Sequence, residues 1–195
     1  MEQTAICKLN EVGLLGRHNL ENICAAIAAT WDLVGHNVLL IKEVIIGFKG
    51  LMHRLEPVRT VNDITYYNDS FAATPEAAAA AIEAVKGHKV VIMGGFDRHL
   101  ELDNLIHSLA HHSKHIRHLL LIGQSAERLA KALDMASVSQ YTILKDTTMP
   151  KIVAQATKLS QPGDTVVLSP GFPSFDMFKH FEDRGEQFQA AVKAL

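Results

Sequence analysis

The sequence predicts an α/β fold, a mostly parallel sheet with helices on both faces, and three observations carry that expectation. Short continuous apolar runs (VVIM, HLLLI, TVVL) recur after residue 88, too short for helices and lacking the alternation of a strand with one wet face. Segments of helical period lie between them, the order that builds parallel sheets. Glycine, proline, serine and aspartate then collect where each run ends: GGFDR, GQS and SPGFPS.

Taken in order, His18 to Val34 places Leu20, Ile23, Cys24, Ile27, Ala28 and Trp31 on one helical face, and Gly35 supplies the stop. A second helix over 40–48 ends at Gly50. There the pattern changes. LEPVRTV and ITYYNDS are β-branched and aromatic runs on either side of Asn62-Asp63, a turn pair that predicts a hairpin. Strict alternation follows: strand 64–68, helix 75–86, strand 89–93, helix 102–112, strand 117–122, helix 125–134, strand 141–145, helix 147–159, strand 165–169 and helix 174–192. Thr74-Pro75 reads as a helix cap with proline at the first helical position, and the alanines between Glu76 and Glu83 form a small face for close packing on the sheet. The expectation is a Rossmann-like domain over residues 48–195, preceded by a helical stretch, residues 1–47, too short to stand as a domain of its own.

Composition narrows the function classes. With 195 residues, 48% of them hydrophobic, and a mean hydropathy near zero, the chain can bury one ordinary core; disorder, collagen and coiled coil are excluded. A net charge of −2 gives no electrostatic excess to recruit nucleic acid or anionic lipid. Cys7 and Cys24 form neither a CxxC pair nor a disulfide framework, so a reducing cytoplasm is the default. The N-terminus lacks the basic-then-apolar order of a secretory signal, and no apolar run approaches the roughly 20 residues of a membrane span. A soluble cytoplasmic protein with neither nucleic-acid nor membrane partner is expected.

In an open parallel sheet, ligands sit outside the carboxyl ends of the strands. Those ends read Asn68-Asp69-Ser70, Gly94 to His99, Gly123-Gln124-Ser125 and Ser169 to Ser174. Singly, each has a plain explanation. Ser174 can be only a helix cap, Gly94-Gly95 only a turn, and Arg54 and Arg98 only solvated cations. Their convergence on one edge favours a ligand site. The chain has 11 histidines, with His107, His111, His112 and His115 clustered, but no HExxH context; a hydrated helix face is the better reading. No GxxxxGK[ST] phosphate loop occurs.

The segments GRHNLENICAAIAA, LMHRLEPV, YYNDSFAATPEA, VIMGGFDR and LSPGFPSFDMFKHFEDRGEQF, in this order, resemble the C-terminal part of a Mur ligase over residues 16–188, and the last resembles most the branch that adds D-glutamate. The resemblance implies that residues 1–47 are the tail of the central ATPase domain and 48–195 the C-terminal amino-acid-binding domain. The N-terminal UDP-binding domain and the phosphate-loop part of the central domain, with its carbamylated lysine and magnesium ligands, would lie outside this chain. The implied enzyme is an ADP-forming ligase of peptidoglycan synthesis. ATP phosphorylates the carboxylate of UDP-N-acetylmuramoyl-L-alanine, and the amine of D-glutamate displaces phosphate from the acyl-phosphate; the piece alone would turn nothing over.

By the same resemblance, Asn22, Arg54 and Asp69 face ATP, while Arg98, Ser174 and Phe181 hold the D-glutamate, Arg98 standing where the family has a lysine and Ser174 at a helix start. Two departures touch the amino-acid pocket. Phe71 replaces a lysine, and SPGFPS stands for the usual SPACAS, so either Thr74 supplies a missing hydroxyl or the accepted amino acid differs. Two alternatives stay open: a free-standing Rossmann-like module that binds a small anion, and a related Mur or folylpolyglutamate-type ligase with another acceptor.

Overall fold

A computed structural model describes residues 4–195; residues 1–3, part of the N-terminal segment that lacks the order of a secretory signal, lie outside them. The chain divides into two compact units, Met1–Leu51 and Met52–Leu195. Among the described residues no helix is long and apolar enough to cross a membrane.

The first unit carries helices α1 (Arg17–Thr30) and α2 (Val38–Gly47). Helix α1 stops four residues short of the expected Val34, because the chain turns through Gly35 and His36, both left-handed at φ 58° and 59°, with the His36 ring stacked on Trp31. Asn37 then caps α2, its side-chain oxygen accepting the Leu40 N–H at 3.1 Å. Ile41 and Ile45 are buried, yet the α1 stripe of Leu20, Ile23 and Ile27 reaches only half burial, and Leu33, Leu39, Val44 and Phe48 are exposed.

The second unit is a six-stranded sheet in the order β1-β2-β6-β3-β4-β5. Its strands are β1 (Glu56–Val61), β2 (Ile64–Asn68), β3 (Lys89–Gly94), β4 (Ile116–Ile122), β5 (Tyr141–Ile143) and β6 (Thr165–Leu168). Only β1 and β2 pair antiparallel; every other neighbour is parallel. Asn62 and Asp63 are both left-handed, at φ 50° and 62°, the backbone that a two-residue hairpin needs to match strand twist. Pro57 is tolerated because β1 is an edge strand.

Helices α3 (Pro75–Ala84), α4 (Asp103–His111) and α5 (Ala126–Met135) cover one face; α6 (Met149–Leu159) and α7 (Phe181–Lys193) cover the other. The continuous apolar strands follow from this. Val91 and Met93 of β3 pack into one core with Ala78, Leu105 and Leu129, while Val90 and Ile92 pack into the second with Ile152 and Phe188. Asn68, Leu168 and Ile92 pair across β2, β6 and β3, so β2 and β6 end at one level, β3 runs on to Gly94, and their exit loops reach one edge.

Several expected bounds shift in this unit, α3 ending at Ala84 rather than 86. Strand β5 ends at Ile143 rather than 145. More consequentially, the helix expected over 174–192 begins only at Phe181. Residues 174–180 instead make a single turn, the Ser174 carbonyl accepting the N–H groups of Met177 and Phe178 at 3.1 and 2.9 Å, before His180 swings into extended backbone. Two bonds then start α7: the His180 ring accepts the Asp183 N–H, and the Asp183 carboxylate accepts the Lys179 N–H. Helical period alone did not reveal this break, because Met177 and Phe178 still reach the second core while Phe175 points out.

Asp63 pays a left-handed penalty that glycine would not. Asp63→Gly is therefore expected to raise unfolding stability by about 0.5–1 kcal/mol, read as an upward shift of the urea midpoint with unchanged slope.

Candidate functional site

The edge where β2, β6, β3 and β4 end is held together by backbone contacts that only glycine permits. A side chain on Gly95, whose φ is 149°, would strike the Pro173 carbonyl, and one on Gly123 would strike Asp176 and Gly95 itself. This closeness lets the loops bond directly. The Phe96 N–H donates to the Pro173 carbonyl at 2.8 Å, and the Gly95 N–H to the Ser125 hydroxyl at 3.0 Å. The Gln124 N–H donates to the Asp176 carboxylate at 2.8 Å.

Two buried charges organise the β2 side. Asp69, 1% exposed, accepts the Leu55 N–H at 3.1 Å and the Ser169 hydroxyl at 2.8 Å. Burial pushes its carboxyl up to about 6, against the opposing pull of those donors and of Arg54 and Arg184. Arg184, fully buried on α7, donates to the Ser70 hydroxyl at 3.0 Å, the Ser70 carbonyl at 2.9 Å and the Phe172 carbonyl at 3.0 Å. Burial pulls its guanidinium down to about 10, with Asp176 and Asp69 acting in the other direction. Asn68 completes the lock, its amide contacting the His53 ring at 2.9 Å and the Gly185 carbonyl at 3.3 Å.

Around this buried frame stand the residues singled out from the sequence. Arg54 is half-buried, its guanidinium 5.8 Å from the centre of the exposed Phe71 ring. Asp69 has both carboxylate oxygens occupied by protein donors, so in this arrangement it fixes the backbone beside Arg54 instead of presenting an open acid. Thr74 caps α3, its hydroxyl oxygen accepting the Ala77 N–H at 3.4 Å, which leaves its own proton to donate. Arg98 is exposed on the β3 exit loop. Its neighbour Asp97 is clamped by both arms of Arg128 at 2.8 and 2.9 Å. Burial pushes the Asp97 carboxyl up, but Arg128 and the His99 N–H outweigh it and hold it below the usual carboxylate range.

Ser174 is placed differently from expectation. It precedes the single turn of 174–180 and not helix α7, so no long helix stands behind it. It is 2% exposed, and its hydroxyl has no hydrogen-bond partner among the described residues, a deficit that an incoming acceptor would relieve. Phe181 opens α7, its carbonyl taking the Ser70 hydroxyl at 2.7 Å and its ring edge-on to Phe71 at 5.0 Å. Asn22 belongs to the other unit, exposed on α1 with its amide 3.5 Å from Asn19. The residue that sequence reasoning missed is Arg184. A signal was present: it shares a helical face with Phe188, Ala191 and Val192, and an arginine on an apolar face needs buried acceptors.

The sequence profile of the family described as "Mur ligase, glutamate ligase domain" matches residues 53–172. The chain belongs to the Mur ligase family. Among its relatives, the UDP-N-acetylmuramoylalanine–D-glutamate ligase of Caldanaerobacter subterraneus subsp. tengcongensis is 36% identical over 195 residues, covering 100% of this chain and 42% of the relative. The ligase of the same name from Streptococcus gordonii is 39% identical over 192 residues, covering 98% and 41%. This Mur ligase chain thus spans about two fifths of the length of the curated relatives it matches. Among solved structures, UDP-N-acetylmuramate-alanine ligase MurC from Thermotoga maritima aligns with a TM-score of 0.68 at 14% identity, over 94% of this chain and 39% of that one. A murein peptide ligase from Psychrobacter arcticus aligns at 0.57 and 21% identity, over 94% and 38%. These likenesses show the Mur ligase fold.

Two outcomes follow from the buried charges. The Asp69 carboxyl binds its proton more tightly folded than unfolded, so its contribution is full below about pH 4 and lost as pH rises through about 6. Asp69→Asn should abolish that limb, roughly 2–3 kcal/mol in size, in urea melts run across the same range. Arg184→Met removes the donors of two carbonyls and one hydroxyl, and is expected to cost about 3–5 kcal/mol. Arg184→Lys should restore only part of that loss in the same melts, since an ammonium cannot serve three acceptors in one plane.

Proposed function

We propose that this chain is the amino-acid-binding part of an ADP-forming ligase that joins D-glutamate to UDP-N-acetylmuramoyl-L-alanine in peptidoglycan synthesis, in the cytoplasm. The observation that carries the reading is that one sheet edge presents two kinds of anion-seeking group: the Arg54 guanidinium near the β2 exit, and the orphan Ser174 hydroxyl with the Arg98 loop near the β6 and β3 exits. The names of the longer relatives support the choice of substrates.

The chemistry asks for such an arrangement. Phosphoryl transfer to a carboxylate and attack by an amine on the acyl-phosphate depend on positioning and charge stabilisation. Arg54 gives charge-assisted hydrogen bonds to ATP, each worth about 1.5–3 kcal/mol. Asp69 acts through Leu55 to hold the backbone from which Arg54 projects. Arg98 grips a carboxylate of the amino acid, and Ser174, the Thr74 proton and the Phe181 region orient it. Asn22, exposed on α1, faces the nucleotide base. Among the described residues no three His, Cys, Asp or Glu side chains lie close enough to hold a metal. No GxxxxGK[ST] occurs in its 195 residues. The reading therefore assigns the phosphate loop, the magnesium ligands and the UDP site to other polypeptide, and assigns residues 1–47 to the tail of the central ATPase domain and 48–195 to the C-terminal domain. The exposed Leu33, Leu39, Val44 and Phe48 support a packing partner for the first unit.

Titration of the chain with D-glutamate, followed by the backbone resonances of Arg98 and Ser174, tests the reading. Both are expected to shift saturably, and Ser174→Ala should weaken D-glutamate about tenfold or more while leaving ATP unaffected. A stronger response to D-aspartate or L-lysine would keep the ligase and change its acceptor. No response to any of the three would remove the amino-acid site.

A further inference from the structure

The Arg54 guanidinium makes no hydrogen bond or ion pair among the described residues. What lies against it is a ring: its Cζ stands 5.8 Å from the Phe71 centroid. Phe71 is 52% exposed, so burial does not account for its placement, but the ring is itself braced. Phe181 meets it edge-on at 5.0 Å, and His53 meets Phe181 edge-on at 6.1 Å. The two backbones are tied as well. The Phe71 N–H donates to the His53 carbonyl at 3.0 Å, and the Leu55 N–H donates to Asp69, two residues before Phe71. His53 and Leu55 are both left-handed, at φ 61° and 43°, so Arg54 leaves the chain between two backbone positions that the surroundings must enforce.

We propose that Phe71 is a positioning residue for nucleotide binding: its ring face holds the Arg54 guanidinium in place, so that the N–H groups directed away from the ring meet a polyphosphate already oriented. The proposal rests on the reading that Arg54 faces ATP. A free arginine side chain surrenders rotamer freedom when it binds, and a cation stacked beforehand surrenders less. The ring supplies this without competing for the donors, since it engages the guanidinium through its face and leaves the N–H groups available.

The test is a double-mutant cycle on the full chain, with ATP and inorganic tripolyphosphate as probes and the Arg54 side-chain protons watched by NMR. In the unaltered chain those protons are expected to show an upfield ring-current shift, lost in Phe71→Leu and kept in Phe71→Tyr. Phe71→Leu should weaken both probes about two- to fivefold, Phe71→Tyr should bind as the unaltered chain does, and Phe71→Leu should have no further effect once Arg54→Ala is present. If Arg54→Ala leaves binding unchanged, or the unaltered chain binds neither probe, the nucleotide reading falls and the proposal with it. If Arg54→Ala weakens binding but Phe71→Leu does not, the proposal alone is overturned. Equal losses from Phe71→Leu with and without Arg54 would show the ring acting on its own, which also overturns it.

Discussion

A guanidinium shut away from water must find its acceptors inside the protein, and the way Arg184 does so shapes the edge of the sheet. From the first turn of α7 it reaches Ser70 in the β2 exit loop and the Phe172 carbonyl in the β6 exit loop. Loops that would diverge at the end of a parallel sheet are drawn onto one donor. The approach is tight enough that Gly95 cannot carry a side chain without meeting both the Pro173 carbonyl and Arg184. Burying a cation is costly, and the structure offsets that cost with three hydrogen bonds and two nearby carboxylates, Asp69 and Asp176.

From that constraint comes a division between charges that build and charges that bind. Arg184, Asp69 and Asp97 are buried or clamped, each satisfied by protein donors or acceptors. Arg54 and Arg98 are left half-buried or exposed on the same edge, and among the described residues neither side chain hydrogen-bonds into the buried network. The late start of α7 belongs to this division. Had the helix run from Ser174, the segment carrying Asp176 to the Gln124 N–H would be wound into the helix, and the β4 exit would lose its tie. As it is, one short turn places the Ser174 hydroxyl in a buried position without a partner among the described residues, a cost that a ligand would recover.

Much of the fold was legible because its signals are local. The runs VVIM and TVVL are apolar at every position since both sheet faces are covered, and Asn62-Asp63 marks the hairpin because both residues tolerate left-handed backbone. Reading strand exits in order also pointed to the edge that carries Asp69, Arg98 and Ser174, whereas Arg54, before β1, and Phe181, at the start of α7, lie at no strand exit. What was not legible depends on partners distant in sequence. Asp69 is an acid beside a ligand loop in the sequence, but a buried acceptor for Leu55 and Ser169 in the structure. The break before α7 is set by the His180 ring accepting the Asp183 N–H while the Asp183 carboxylate accepts the Lys179 N–H, and by Met177 and Phe178 packing against the second core.

The sequence by itself determined the order of strands and helices, the position of the one antiparallel turn and the edge to which polar residues would be delivered, since each is a matter of period and neighbouring residue type. Only the tertiary structure decided which of those residues are consumed by the protein and which are left for a ligand. Hydrogen-bond capacity is settled by groups up to 134 residues apart, such as Arg59 on the Lys193 carbonyl, or the 114 that separate Arg184 from Ser70. No local pattern records whether a donor has already met its acceptor.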